Sequence, residues 1–126
     1  MSKTVIHSHH APAPIGPYSQ ATMAGGVLYV SGQIAIEPSS GKLITEDISA
    51  ETHQVLKNLQ YILNAADMDM ENVVKCTIFI RDMNDFGTIN GIYGQYFETN
   101  HPARETVEVS RLPKDVNVEI SCIAVK

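Results

Sequence analysis

Apolar and polar positions along this chain repeat with two different periods, and the changes of period divide it into elements. Val55, Leu56, Leu59, Ile62, Leu63 and Ala66 recur at i, i+1, i+4, i+7, i+8 and i+11. That spacing draws one apolar stripe along a helix. Glu51, Lys57, Asn58 and Gln60 fall largely off the stripe, and Asp47 or Ser49 is placed to cap the first turn.

Residues 73–80 follow a period of two, with Val74, Cys76, Ile78 and Ile80 set against Lys75 and Thr77, and Phe79 interrupting the polar side. A strand with one fully buried side is predicted there. Val27-Leu28-Tyr29-Val30-Ser31 has strand composition, and Gly25-Gly26 joins it to a strand over 19–23 as a hairpin. Ahead of it, Ala11-Pro12-Ala13-Pro14-Ile15-Gly16-Pro17 cannot be helical, because its prolines fix φ and donate no N–H; it reads as an extended, ordered arm. Pro38-Ser39-Ser40-Gly41 is a loop signal.

A second helix is predicted near 86–97, after possible caps at Asp82, Asn84 and Asp85. Gly87, Gly91 and Gly94 each oppose it by about 1 kcal/mol relative to alanine. Ile89, Tyr93, Tyr96 and Phe97 must then supply the compensating burial. Strands over 105–109 and 116–125, linked by Leu112-Pro113-Lys114-Asp115, predict a closing hairpin. The order of elements implies an α+β fold with both helices on one face of a sheet.

At 126 residues and 44% hydrophobic content the chain suits one domain spanning 1–126. Residues 1–10 lack the apolar core of a signal peptide, and no run approaches the ~20 apolar residues of a membrane span. A soluble, cytoplasmic protein is expected. The formal net charge of −5 argues against a nucleic-acid partner. Cys76 and Cys122 sit far apart in apolar runs without metal-ligand spacing, so buried reduced thiols are expected. His7, His9 and His10 lack a carboxylate or cysteine to complete a site; they read as a flexible polar terminus, and no metal is predicted.

Candidate chemistry lies on the predicted closing hairpin. Pairing Val109 with Val116 would set Thr106 opposite Glu119, with Arg104 on the same face at a diagonal separation of roughly 7–8 Å. Val116, Val118, Ile120, Cys122 and Ala124 then share one face and Asn117, Glu119 and Ser121 the other. A guanidinium fork suits a carboxylate ligand, and a neighbouring glutamate can take a proton from water. By spacing alone the two could equally form a surface ion pair, and that plainer reading has the stronger claim. Tyr18 also reads as a packed aromatic, Ser31 and Gly32 as strand-end geometry, and Asn90 as helix support.

Five stretches alter that balance: Ile15-Gly16-Pro17-Tyr18-Ser19-Gln20-Ala21, Val30-Ser31-Gly32-Gln33-Ile34, Asn84-Asp85-Phe86, Pro102-Ala103-Arg104, and Arg111-Leu112-Pro113-Lys114-Asp115-Val116 with Val118-Glu119-Ile120. In this order they resemble the YjgF-type reactive intermediate deaminase A (RidA) family along nearly the whole chain. The resemblance implies a chorismate-mutase-like α+β fold with a mixed sheet of about six strands and two helices packed on one face. It also implies a homotrimer with ligand clefts between subunits, and hydrolysis of 2-iminobutyrate or 2-iminopropanoate to a 2-keto acid and ammonia without a cofactor.

By the same resemblance Arg104 holds the substrate carboxylate, Glu119 positions or activates water, and Tyr18, Ser31, Gly32 and Asn90 line the pocket. Thr106 departs from the family pattern, where cysteine is common after the Pro-Ala-Arg motif. The role of that position rests largely on backbone groups, so threonine should preserve hydrolysis while removing thiol chemistry. Glu105, where a small residue is more usual, alternates away from the proposed pocket. Endoribonuclease activity, and a non-catalytic keto-acid-binding or chaperone-like role, are the competing readings.

Overall fold

The computed structural model describes residues 2–126. Strands β1 (Thr4–Ile6), β2 (Ala21–Ala24), β3 (Val27–Gln33), β4 (Val73–Ile80), β5 (Ala103–Glu108) and β6 (Val118–Val125) form one mixed sheet in the order β1-β2-β3-β6-β4-β5. Helices α1 (Ile48–Ala65) and α2 (Phe86–Tyr96) pack on one face. Leu56, Leu59 and Ile62 of α1 and Ile89 of α2 meet Ile78 and Ile80 of β4 and Ile120 of β6 in a continuous core. The α+β fold with two helices on one face is as expected from the apolar pattern.

Each helix forms for a local reason. Asp47 caps α1 by accepting the Ala50 N–H at 2.7 Å. The α1 stripe is buried as the period predicts, but Glu51 and Asn58, read as lying off it, are also 0% exposed. Their burial is compensated by hydrogen bonds. Asn58 Nδ2 donates to the carbonyls of Ile34 and Ile36 at 3.1 and 3.0 Å, and Glu51 accepts N–H groups from Asn117 and Val118. Hydrophobic periodicity is blind to such positions, because it counts apolar residues and not the donors and acceptors that irregular backbone elsewhere requires.

Two strand expectations are corrected. In β4, Val74 is exposed and Val73 is buried, the reverse of a strict alternation. The register against β6 shifts between Val73 and Lys75, so Val74 is an extra residue that inverts the phase before it. At the terminus, residues 4–6 form a strand that the apolar pattern does not predict, β1 on the edge of β2. Gln20, 2% exposed, secures the arm behind β1 by accepting the Ser8 N–H at 2.7 Å and donating to the Ser8 and Pro12 carbonyls at 3.1 and 2.9 Å.

The closing hairpin does not exist. Strand β5 pairs in parallel with β4, Arg104 opposite Cys76 and Thr106 opposite Ile78, while β6 lies between β3 and β4. α2 provides the crossover that a parallel β4–β5 pair needs, and the link over 109–117 then carries the chain past β4 to β6. Thr106 therefore does not face Glu119. Because partners across a ladder share a face, Arg104 and Thr106 lie on the helix side with Cys76 and Ile78, whereas Glu119, opposite Phe79, lies on the other.

Candidate functional site

Arg104 is held by α2. Its Nη1 donates to Asn90 Oδ1 at 2.8 Å, and the guanidinium lies 4.9 Å from the ring centre of Tyr93 and 5.7 Å from that of Phe86. Aromatic faces attract the cation without neutralising it. The ion pairs among the described residues are Lys75–Glu105 and Arg111–Asp115, so Arg104 and Glu119 do not form the surface pair that spacing alone favoured. Gly87, Gly91 and Gly94 recur at helical spacing beside Asn90, and a Cβ on any of them would meet nothing within 4 Å. The surface of α2 around Asn90 is therefore bare.

Beneath the arginine, the hydroxyls of Tyr93 and Thr106 are buried without hydrogen-bond partners. Burial pushes the Tyr93 phenol well above its ordinary range, and the Cys76 thiol beside it adds to the shift without reaching hydrogen-bond geometry. Burial likewise raises Cys76 and Cys122. Both thiols are free and buried, as the sequence suggested.

Glu119 sits on the open face in a depression of about 400 Å³ lined by Ile15, Tyr18, Ser31, Gly32 and Pro113. A β-bulge makes the depression: between Val30/Cys122 and Gln33/Ile120, Ser31 and Gly32 oppose the single residue Ser121. The bulge brings Gly32 against the glutamate, so that a Cβ there would stand 2.6 Å from Glu119 Oε2 and 2.7 Å from Cδ. Only glycine permits this approach. Desolvation raises the Glu119 pKa above the ordinary carboxylate value.

The arm forms the remaining wall. Tyr18 accepts the Ile15 N–H on its hydroxyl at 3.2 Å, and Ser31 Oγ donates to the Ser19 carbonyl at 2.7 Å. Pro113 enters from a turn in which Lys114 and Asp115 both adopt left-handed φ, 56° and 57°. The Arg111–Asp115 pair, Nε to Oδ1 at 2.6 Å, braces that turn.

The expected site residues thus fall into two groups. Arg104, Asn90 and Thr106 lie together on the helix side of the sheet edge, and Tyr18, Ser31, Gly32 and Glu119 lie together on the open face. Within one chain the groups do not meet. Tyr93 and Phe86, which hold the arginine, are not site residues by sequence: Tyr93 reads as helix packing, and Phe86 lies in the Asn84-Asp85-Phe86 stretch without a role. Pro113 likewise was read only as turn chemistry. No group of three or more His, Cys, Asp or Glu able to hold a metal ion occurs among the described residues.

The family model described as Endoribonuclease L-PSP matches residues 8–126. The chain belongs to this family, whose solved members include the YjgF protein it resembles. A RutC family protein of Pyrococcus horikoshii is 51% identical over 98% of this chain and 98% of its own length. The human 2-iminobutanoate/2-iminopropanoate deaminase is 47% identical over 98% of this chain and 90% of its own. The solved structure of Escherichia coli TdcF with bound serine superposes with a TM-score of 0.94 at 40% identity, covering 98% of each chain. No helix among the described residues is long and apolar enough to cross a membrane.

Proposed function

We propose that this protein hydrolyses 2-imino acids such as 2-iminobutyrate and 2-iminopropanoate to 2-keto acids, at a site assembled from the Arg104 group of one copy and the Glu119 group of a neighbouring copy. The observation that carries the reading is the complementary incompleteness of the two groups. Arg104 is a restrained cation without a carboxylate partner, and Glu119 is a desolvated carboxyl in an open hollow without a cation. A homotrimer, as the family resemblance implies, would join them three times over. The human relative's name and the serine held by the E. coli neighbour favour a small ligand built on a 2-amino-acid skeleton.

In this reading Arg104 takes the substrate carboxylate in its fork while Asn90 and Tyr93 fix the direction of the guanidinium. Glu119 orients water against the imine carbon and accepts its proton, a role suited to a carboxyl whose proton affinity burial has raised. The protonated imine gains water, the C–N bond of the resulting carbinolamine breaks, and the products are the 2-keto acid and ammonium. Tyr18 and Gly32 shape the hollow in which this happens. The chemistry calls on no cofactor, and the acidic net charge weighs against the ribonuclease reading. A cytoplasmic location fits reactive imines generated inside the cell.

Mixing separately purified Arg104→Ala and Glu119→Ala chains, unfolding and refolding them together, tests the arrangement. If the two groups come from different copies, about a quarter of the sites in a random mixture are intact and ammonia release from fresh 2-iminobutyrate returns to that level. Two inactive variants that stay inactive when mixed would overturn the shared site. Imine that persists with the parent protein would overturn the activity.

A further inference from the structure

Glu119 receives no side-chain partner that would fix its carboxylate; burial is the one cause of its raised proton affinity. Its position is therefore set by the Gly32 surface it lies on and by the backbone from which it extends. That backbone enters β6 from the left-handed turn at Lys114 and Asp115 and is already in register with β4, Val118 opposite Ile80 and Glu119 opposite Phe79. A second tether acts at this strand entry. Glu51, fully buried in the first turn of α1, accepts the backbone N–H of Asn117 at 2.7 Å, Asn117 Nδ2 at 2.8 Å and the backbone N–H of Val118 at 3.3 Å. The Asn117 carbonyl is engaged as well, accepting the Arg81 N–H at 3.1 Å.

A buried carboxylate is a costly way to satisfy strand-entry donors, and a ladder bond or a neutral amide would serve stability at least as well. What it provides is geometry, because Oε2 on one rigid helix gathers two successive peptide N–H groups while Oε1 holds the Asn117 side chain. We propose that Glu51 is a positioning residue, fixing the backbone at Asn117 and Val118 and thereby setting where Glu119 presents its carboxylate in the hollow beside Tyr18. The inference rests on the imine-hydrolysis reading for the consequence of that placement, though not for the placement itself.

Two variants and two readouts test it. Glu51→Ala removes every acceptor, while Glu51→Gln keeps a carbonyl oxygen for the backbone donors and lets the Asn117 amide turn to meet the new NH2. In Glu51→Ala kcat for imine loss is expected to fall about 30-fold with KM within about twofold, because Arg104 is untouched. By ¹³C NMR the Glu119 carboxyl of that variant should titrate closer to the ordinary carboxylate range as it swings into water. Glu51→Gln should retain both properties within about threefold in kcat.

Parent-like titration and kcat in a folded Glu51→Ala protein would overturn the proposal, as would a Glu51→Gln variant as impaired as Glu51→Ala. Should Glu51→Ala not fold, Asn117→Ala removes one tether alone. A kcat decrease of about threefold is then expected, and no change overturns the idea. If the parent turns over no imine, the titration still decides the role of Glu51 while the activity assignment fails separately.

Discussion

The two halves of the candidate site are held in place by opposite means. Around Arg104 everything is contact: an amide oxygen at 2.8 Å, one ring at 4.9 Å and another at 5.7 Å. Around Glu119 the decisive feature is missing matter, a backbone bulge and a glycine without a Cβ, against which the carboxylate rests. In the proposed reaction the difference follows from what each group would do. A guanidinium carries its charge at any working pH, so the protein has only to aim it. A carboxylate that is to take a proton from water must have its affinity adjusted, and withdrawing solvent and donors achieves this at the cost of leaving little to grip it.

The sharpest way to break the comparison is to remove the aimed cation. Arg104→Ala should lower kcat/KM for 2-iminobutyrate by about 1,000-fold, the scale expected when one member of a hydrogen-bonded charge pair with substrate is lost. The fold should persist, because Arg104 sits on the edge strand and is not itself part of the buried core; it covers only the outer face of Tyr93. Far-UV circular dichroism together with a coupled ammonia assay reads both. Wild-type-like turnover would remove the arginine from the site altogether.

On the other half the corresponding change adds an atom. Gly32→Ala places a methyl 2.6 Å from Glu119 Oε2 and must push the carboxylate aside. The expected loss is about 30- to 100-fold in kcat with KM nearly unchanged, since binding belongs to the other half. Stopped-flow kinetics with saturating imine separate the two constants. A rise in KM at constant kcat would instead place the ligand's carboxylate on this side.

Asn90→Asp sharpens the contrast from the arginine's side. It keeps an oxygen at the same reach while neutralising the charge that Asn90 now leaves free. KM should rise about tenfold and keto-acid affinity should fall in step, as measured by calorimetry. Unchanged affinity would mean that the guanidinium's charge is not what the ligand senses.

How much of this was legible in the sequence depends on the range of the signal. α1, α2, the β2–β3 hairpin and the burial of Ile78, Ile80 and Ile120 come from local periods and were read as such. The partner of β5 was misread, because nearness along the chain favoured β6 while the parallel crossover through α2 gave that place to β4. A period of two assigns residues to faces within a strand but does not say which face of one strand continues into which face of another. For this reason Arg104 and Glu119 were drawn to one side of the sheet. Glu51 and Asn58 lie off the apolar stripe, and their burial is not legible from it because it serves backbone donors and acceptors supplied by distant segments. Resemblance gathers Arg104, Thr106, Asn90, Tyr18, Ser31, Gly32 and Glu119 into one pocket, whereas within one chain they lie in two groups.

Acidity distinguishes the halves more gently. The Glu119 carboxyl is raised in the folded protein, so it favours the fold most below its unfolded pKa of about 4.3 and loses that advantage as pH rises through the folded value. Glu119→Gln should therefore melt higher than the parent at pH 7, on the order of 1–3 °C after allowing for a half-exposed group, and no higher near pH 4. Activity of the parent should in turn show an acid limb above the ordinary carboxylate range. Melting curves at the two pH values, set beside a pH–rate profile, connect the two observations; an equal gain at both pH values would detach it from ionisation.

The smallest effect expected lies under the arginine. Tyr93 contributes its ring face to Arg104, but its hydroxyl is buried without a partner, a state that weakens the fold. Tyr93→Phe keeps the ring and removes the orphan, so urea unfolding should show a gain of about 0.5–1 kcal/mol at an unchanged m-value. A loss of stability would mean that the hydroxyl finds a partner once copies of the chain assemble. The arginine's half would then be completed from outside, as proposed for the glutamate's half, and the contrast between a contact-built and a space-built half-site would narrow to the aromatic faces alone.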